Sequence, residues 1–227
     1  MTISDVRPQT IVYPESDGEP VGETDDHREL MFELIFVLKN LLRETTAYVA
    51  GNLFVYYEEG EPASVVAPDV FVIFGVPQQN RRTYKTWEHD GKTPDMVIEL
   101  TSSKTRYVDL GEKRVRYAEL GVQEYYLFDP HGDYLNPRLR GYQLVDGELI
   151  PMPGNRVISK LINVELRVID NTLRLCNIMN GVPFPTPEEL EDARQQEADA
   201  RQQAESEVAR LQAELDALKS SHPKEPR

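Results

Sequence analysis

Two carboxylates stand at the ends of otherwise apolar runs: Asp69 near the start of Pro68-Asp69-Val70-Phe71-Val72-Ile73-Phe74, and Glu99 near the end of Pro94-Asp95-Met96-Val97-Ile98-Glu99-Leu100. Runs this short, rich in Val, Ile and Phe, predict buried β-strands. A carboxylate taken out of water without a partner is costly, and a bound divalent cation both offsets that cost and supplies hydrolytic chemistry. Asp69 and Glu99 are therefore the expected metal pair. The competing assignment is two strand-end acids that are solvated or matched to arginine.

Strand geometry narrows the choice. Side chains alternate faces, so Asp95, Val97, Glu99 and Thr101 share one face and Met96, Ile98 and Leu100 the other. Asp95 and Glu99 are then about 13 Å apart at about 3.3 Å per residue, too far to hold one ion. Asp69, on a separate strand, can reach Glu99, because neighbouring strands lie about 4.8 Å apart. Oxygen-only ligands favour magnesium or manganese over zinc.

The elements that must position this pair follow from periodicity and punctuation. Residues 1–24 contain Ser16-Asp17-Gly18 and no sustained period, and predict an irregular N-terminal arm. Asp25 or Asp26 can cap a helix through residues 30–42, apolar nearly all round and so expected to be buried. Glu33 interrupts that helix as a residue at the edge of the buried face. Residues 45–57, broken at Gly51-Asn52, predict strand, turn, strand. After the two carboxylate strands, residues 106–120 predict one helix stopped by Gly121, and residues 122–129 a further strand ended by Pro130. Strand, helix, strand predicts a βαβ crossover, and hence a mixed sheet with helices packed on it, an α/β (α+β) class. Tyr125 and Tyr126 are expected to pack that sheet.

Short strands and turns recur over residues 138–177, and the three prolines Pro183, Pro185 and Pro187 mark a boundary. The domains are expected at 25–185 for the globular part and 186–227 for a helical extension. Residues 187–219 are rich in Glu, Ala, Gln, Arg and Leu and predict helix. Ala204, Val208, Leu211, Leu215 and Leu218 alternate by four and three, the seam of a short coiled coil that would aid a homodimer. A lone solvated helix is the alternative.

The chain has 227 residues and a net charge of −14. That charge argues against a broad non-specific DNA-binding surface. Residues 186–219 carry ten acidic and four basic residues, so the tail holds part of the excess. Arg81, Arg82, Lys85, Lys104, Arg106, Lys113, Arg114 and Arg116 flank the carboxylate segments and allow a local basic patch. The single Cys176 lies in an apolar run and reads as core, consistent with a reducing, cytoplasmic setting. No stretch approaches the roughly 18 apolar residues of a membrane span. None of the four histidines is paired at a metal-ligand spacing, and none is assigned a role.

Four blocks in order carry a resemblance: Pro68-Asp69-Val70, Pro94-Asp95 through Glu99-Leu-Thr-Ser102, Lys113 with Tyr117, and Gly121-Val122 through Glu124-Tyr125-Tyr126 to Asp129-Pro130. Over residues 10–185 the sequence resembles the Uma-type restriction-endonuclease-like proteins of the PD-(D/E)XK phosphodiesterase superfamily. The resemblance implies a mixed central sheet of four or five strands flanked by helices, and magnesium- or manganese-dependent hydrolysis of DNA. Asp69 and Glu99 match the signature's two acids. Its lysine should stand two residues after the second acid, where this chain has Thr101. Lys113, on the following helix with Tyr117 on the same face, is at the family's matching place, and Lys104 is the rival; the resemblance also implies Glu33 as an extra metal-binding acid, against its reading as an edge residue. The alternatives are a catalytically inactive nuclease-fold binding or regulatory protein, and a coiled-coil interaction protein.

Overall fold

The computed structural model describes residues 11–16, 24–102, 106–154 and 156–221. It divides into two compact units, Met1–Phe184 and Pro185–Arg227. Within the first, residues 11–16 have no regular structure, yet Tyr13 packs against Tyr56 and Trp87 and its hydroxyl accepts from Gly60 N–H. The rest of the predicted arm lies outside the described residues.

Helix α1 runs over Asp25–Leu41. Thr24, rather than Asp25 or Asp26, is its N-cap: the Thr24 hydroxyl accepts from His27 N–H, and the two aspartates fall in the first turn. There they face the positive end of the helix dipole. Its buried face is one stripe, Leu30, Met31, Leu34, Val37 and Leu38, whereas Phe32 is 62% exposed. The expectation of burial all round fails because the sheet covers one side of the helix and Phe32 falls on the other.

Strand β1 (Ala47–Ala50) leads through Gly51-Asn52, with Asn52 at φ 47°, into β2 (Val55–Tyr56). Then come β3 (Val65–Val66), β4 (Val70–Phe74), β5 (Tyr84–Lys85), a 3-10 turn at Thr86–His89, and β6 (Met96–Leu100). Residues 106–120 form two helices, α2 (Arg106–Leu110) and α3 (Glu112–Glu119), rather than one. The break is at Gly111, whose φ of −114° and ψ of −83° are non-helical. After Gly121 at φ 78° comes β7 (Glu124–Phe128). Strands β8 (Leu139–Val145) and β9 (Glu148–Pro151) form a hairpin on Asp146-Gly147, both at positive φ, the turn that an Asp-Gly pair favours. Strands β10 (Val157–Ser159), β11 (Val164–Ile169) and β12 (Thr172–Asn177) complete the unit, the last two joined by the same device at Asp170-Asn171.

The central sheet has the order β1-β4-β6-β7-β8-β9. All neighbours are antiparallel except β6 and β7, which are parallel. That parallel pair is the predicted βαβ crossover, with α2 and α3 as its connection. The chain is therefore α+β with a mixed sheet. Burial on both faces explains the continuous apolar runs. One face, with Val70, Ile98, Leu100 and Phe128, packs on α1 and the β10–β12 sheet; the other, with Phe71, Val97, Tyr125 and Leu127, packs on Tyr117 of α3. Tyr126 is buried in the first layer and Tyr125 in the second.

The second unit is helix α4 (Pro187–Ser221). Its start is a reciprocal cap: Thr186 N–H donates to Glu189 Oε2 at 2.8 Å, and Glu189 N–H donates to Thr186 Oγ1 at 3.2 Å. Thr-Pro-Glu-Glu is a capping box with proline at the first helical position. Val208, Leu211, Leu215 and Leu218 are each about half exposed.

Candidate active site

Antiparallel pairing of β4 with β6 sets Val70 opposite Ile98 and Phe71 opposite Val97, so Asp69 falls opposite Glu99 one step further. Directly opposite residues share a face. Both acids thus leave the sheet on the side of α3. Asp69 is fixed by its neighbour strand, because Leu100 N–H donates to Asp69 Oδ2 at 2.7 Å. Its other oxygen, Oδ1, lies 3.4 Å from His27 Nε2 in the first turn of α1. Behind it, Gly51 makes a close approach, and Asn52 N–H donates to Pro68 O. A Cβ on Gly51 would sit 2.0 Å from the Asp69 carbonyl oxygen.

Glu99 is 1% exposed, and α3 supplies donors to both of its oxygens. Tyr117 O–H donates to Oε1 at 2.6 Å and the Lys113 ammonium to Oε2 at 2.9 Å. The same ammonium lies 3.0 Å from Asp109 Oδ1 of α2. Asp109, Lys113 and Tyr117 recur every four residues, and despite the break at Gly111 they reach one cluster. Tyr125 O–H anchors the helix by donating to Asp109 O at 2.8 Å.

Three carboxylates facing one ammonium leave the cluster under-neutralised. Burial pushes the Glu99 carboxyl up to about 8; Lys113 and the Tyr117 hydrogen bond pull it down, while Asp69 and Asp109 add to the rise. Asp69 goes the other way: burial raises it, but His27, Lys113 and the Leu100 N–H outweigh that and hold it below the usual carboxylate range. Burial alone would lower Lys113, yet Glu99, Asp109 and Asp69 together raise it above an ordinary lysine. It is an ammonium at neutral pH.

The structure thus brings together Asp69, Glu99 and Lys113. Thr101 occupies the signature's lysine position with a buried hydroxyl. Lys104 lies outside the described residues. Asp95 is at the opposite end of the strand, where its Oδ2 accepts from Phe74 N–H at 2.7 Å. Glu33 is half-buried and lines a groove with Glu29, Leu30 and Phe128. Leu30 and Phe128 belong to the layer under α1. Two participants escaped the sequence reading, His27 and Asp109. Asp109 was legible as the residue four before Lys113 on the same helical face; His27 was not, because only tertiary packing sets α1 beside β4.

Asp69 and Glu99 offer oxygen donors only. Two carboxylates from adjacent strands match a small hard cation that keeps several waters. Among the described residues no three His, Cys, Asp or Glu side chains form a ready-made metal cage. No helix among them is long and apolar enough to cross a membrane.

A mixed α+β sheet with paired acids at the ends of two adjacent strands is the frame of a nuclease-type site. The family model Uma2, described as "Putative restriction endonuclease", matches residues 7–153, and the chain belongs to that family. The match stops before β10, short of the 10–185 span of the sequence resemblance. A solved structure described as a "putative nuclease" of the family DUF820, from Anabaena variabilis, is similar at 16% identity and a TM-score of 0.45, covering 62% of this chain and 75% of that one. No curated protein matches.

Proposed function

We propose that the protein is a metal-dependent endonuclease that hydrolyses DNA phosphodiester bonds, with Asp69 and Glu99 holding a magnesium or manganese ion and Lys113 as the third catalytic residue. The observation that carries this reading is the cross-strand opposition of Asp69 and Glu99, with the Lys113 ammonium 2.9 Å from Glu99 Oε2. Family membership supports the nuclease class and the nucleic-acid substrate.

When bound, the cation polarises a phosphoryl oxygen and makes a coordinated water more acidic. The chain's own residues prepare that chemistry. Leu100 N–H and His27 orient the Asp69 carboxylate, and Tyr117 O–H orients that of Glu99, so neither has to reorganise when substrate arrives. Lys113 is held protonated, which suits it to stabilise charge developing on the phosphoryl oxygens rather than to take a proton from water. It therefore fills the role of the signature's lysine from the helix instead of from position 101.

The test is cleavage of supercoiled plasmid DNA with Mg2+ or Mn2+, alongside calorimetric titration of the cation. Asp69→Ala and Glu99→Ala are expected to abolish both cleavage and cation binding. Retained cleavage in either purified variant overturns the assignment.

A further inference from the structure

Asp109 is the acid of the cluster that no strand supplies. It stands near the end of α2 and is buried, and its backbone carbonyl accepts from Tyr125 O–H of β7 at 2.8 Å, so the sheet fixes its place. The Lys113 ammonium lies 3.0 Å from Asp109 Oδ1 yet gives its hydrogen bond to Glu99 Oε2, and Asp109 Oδ1 accepts none among the described residues. A buried ion pair of this kind adds little to stability, because desolvation offsets the attraction. The acid is instead placed for a state in which the ammonium has lost Glu99.

That state follows from what already occupies Glu99. Tyr117 O–H donates to Oε1 at 2.6 Å and the Lys113 ammonium to Oε2 at 2.9 Å, so a cation that takes Glu99 meets two different neighbours. The Tyr117 hydroxyl is neutral and fully buried, and a carboxylate oxygen that accepts its bond keeps a further lone pair for a metal. The ammonium has the same sign as the cation, and away from bulk water two such charges a few ångström apart repel strongly. Lys113 is therefore the donor that gives way. Its side chain is 26% exposed, on a flexible four-carbon stem, and has the freedom to do so. With Asp109 already 3.0 Å away, the transfer takes a rotation of the stem and no change of backbone.

We propose that Asp109 is a positioning residue, which receives the Lys113 ammonium when a divalent cation takes Glu99, so that the cation binds and Lys113 stays beside the site. This role rests on the metal reading of Asp69 and Glu99. Asp109 acts through Lys113 and touches neither the cation nor the reacting atoms. Without it, Glu99 is the remaining ion-pair partner of the ammonium among the described residues, and ammonium and cation compete for one carboxylate.

The experiment is calorimetric titration of Mn2+ into the full chain, run as a double-mutant cycle on Asp109→Asn and Lys113→Met with metal-free melting temperatures alongside. Asp109→Asn keeps the shape of the side chain and is expected to weaken Mn2+ binding roughly fivefold or more. Lys113→Met removes the competitor and is expected to bind Mn2+ at least as tightly as the parent. In that background Asp109→Asn is expected to change the dissociation constant by less than about twofold. Lys113→Gln takes the place of Lys113→Met in the cycle where the methionine variant does not fold. Parental Mn2+ affinity in folded Asp109→Asn leaves Asp109 a structural role alone and overturns the proposal. An equal loss in both backgrounds, which makes Asp109 a direct charge on the cation, overturns it too, as does weaker binding by the folded Lys113 variant. A parent that binds no Mn2+ overturns the metal reading itself, whereas a parent and Asp109→Asn that bind alike overturn the role of Asp109 alone.

Discussion

Glu99 is held by side chains rather than by backbone, and this makes its partners separable by substitution. Tyr117→Phe removes the donor to Oε1 and leaves a buried carboxylate oxygen bare, a loss of about 1–3 kcal/mol that thermal melting reads directly. Lys113→Ala leaves Glu99 and Asp109 buried without their ammonium and is expected to cost about 3–5 kcal/mol in the metal-free protein, as well as cleavage. Asp69 is instead held by backbone, so its sensitive neighbour is a glycine. Gly51→Ala must push the Pro68–Asp69 segment away and is expected to lower both melting temperature and cleavage. Gly60→Ala has open space around it and should cost only the strain of its positive φ, with cleavage retained. Cleavage lost equally in both variants would show that Gly51 acts through general stability.

At the scale of elements, the crossover does the positioning: β6 delivers Glu99, the kinked α2–α3 connection returns Lys113 and Tyr117 over it, and β7 closes the layer. The carboxylate strands, the crossover and the stop at Gly121 were legible because each has a local signal, an apolar run or a conformational punctuator. The Gly111 kink was not, since Asp109, Lys113 and Tyr117 keep a helical spacing across it. After β7 the chain turns on Asp129, whose buried carboxylate accepts from Gly132, Tyr134 and Leu135 N–H. Burial raises its pKa, but these backbone donors win and hold it below the usual aspartate value. A folded-state pKa below the unfolded one means stability that is present above about pH 4 and lost as pH falls through the folded value. Asp129→Asn is therefore expected to be less stable at pH 7 and to show a flatter loss of melting temperature between pH 5 and 2. Parallel pH profiles for variant and parent would remove this account of the loop.

For the whole molecule, one prediction follows from the proposed metal site and one from the exposed stripe of α4. A cation that binds the folded chain alone must raise its melting temperature, so millimolar Mg2+ or Mn2+ is expected to stabilise the parent and not Asp69→Ala. Helix α4 exposes Val208, Leu211, Leu215 and Leu218 along one stripe. A short coil with a second copy is the expectation to test, against a lone solvated helix. Light scattering should give a dimer for the full chain and a monomer after truncation at Pro187; an unchanged state on truncation excludes the coil. The sequence by itself determined the carboxylate strands, the crossover and the helical tail, and pointed to Asp69 and Glu99, because apolar runs, periodicity and punctuating residues are local signals. Only the tertiary structure decided the register that sets Asp69 opposite Glu99, the return of Lys113 onto Glu99 and the approach of His27 to Asp69. Those facts depend on register and on which face each element presents, and both are settled by packing over the whole sheet.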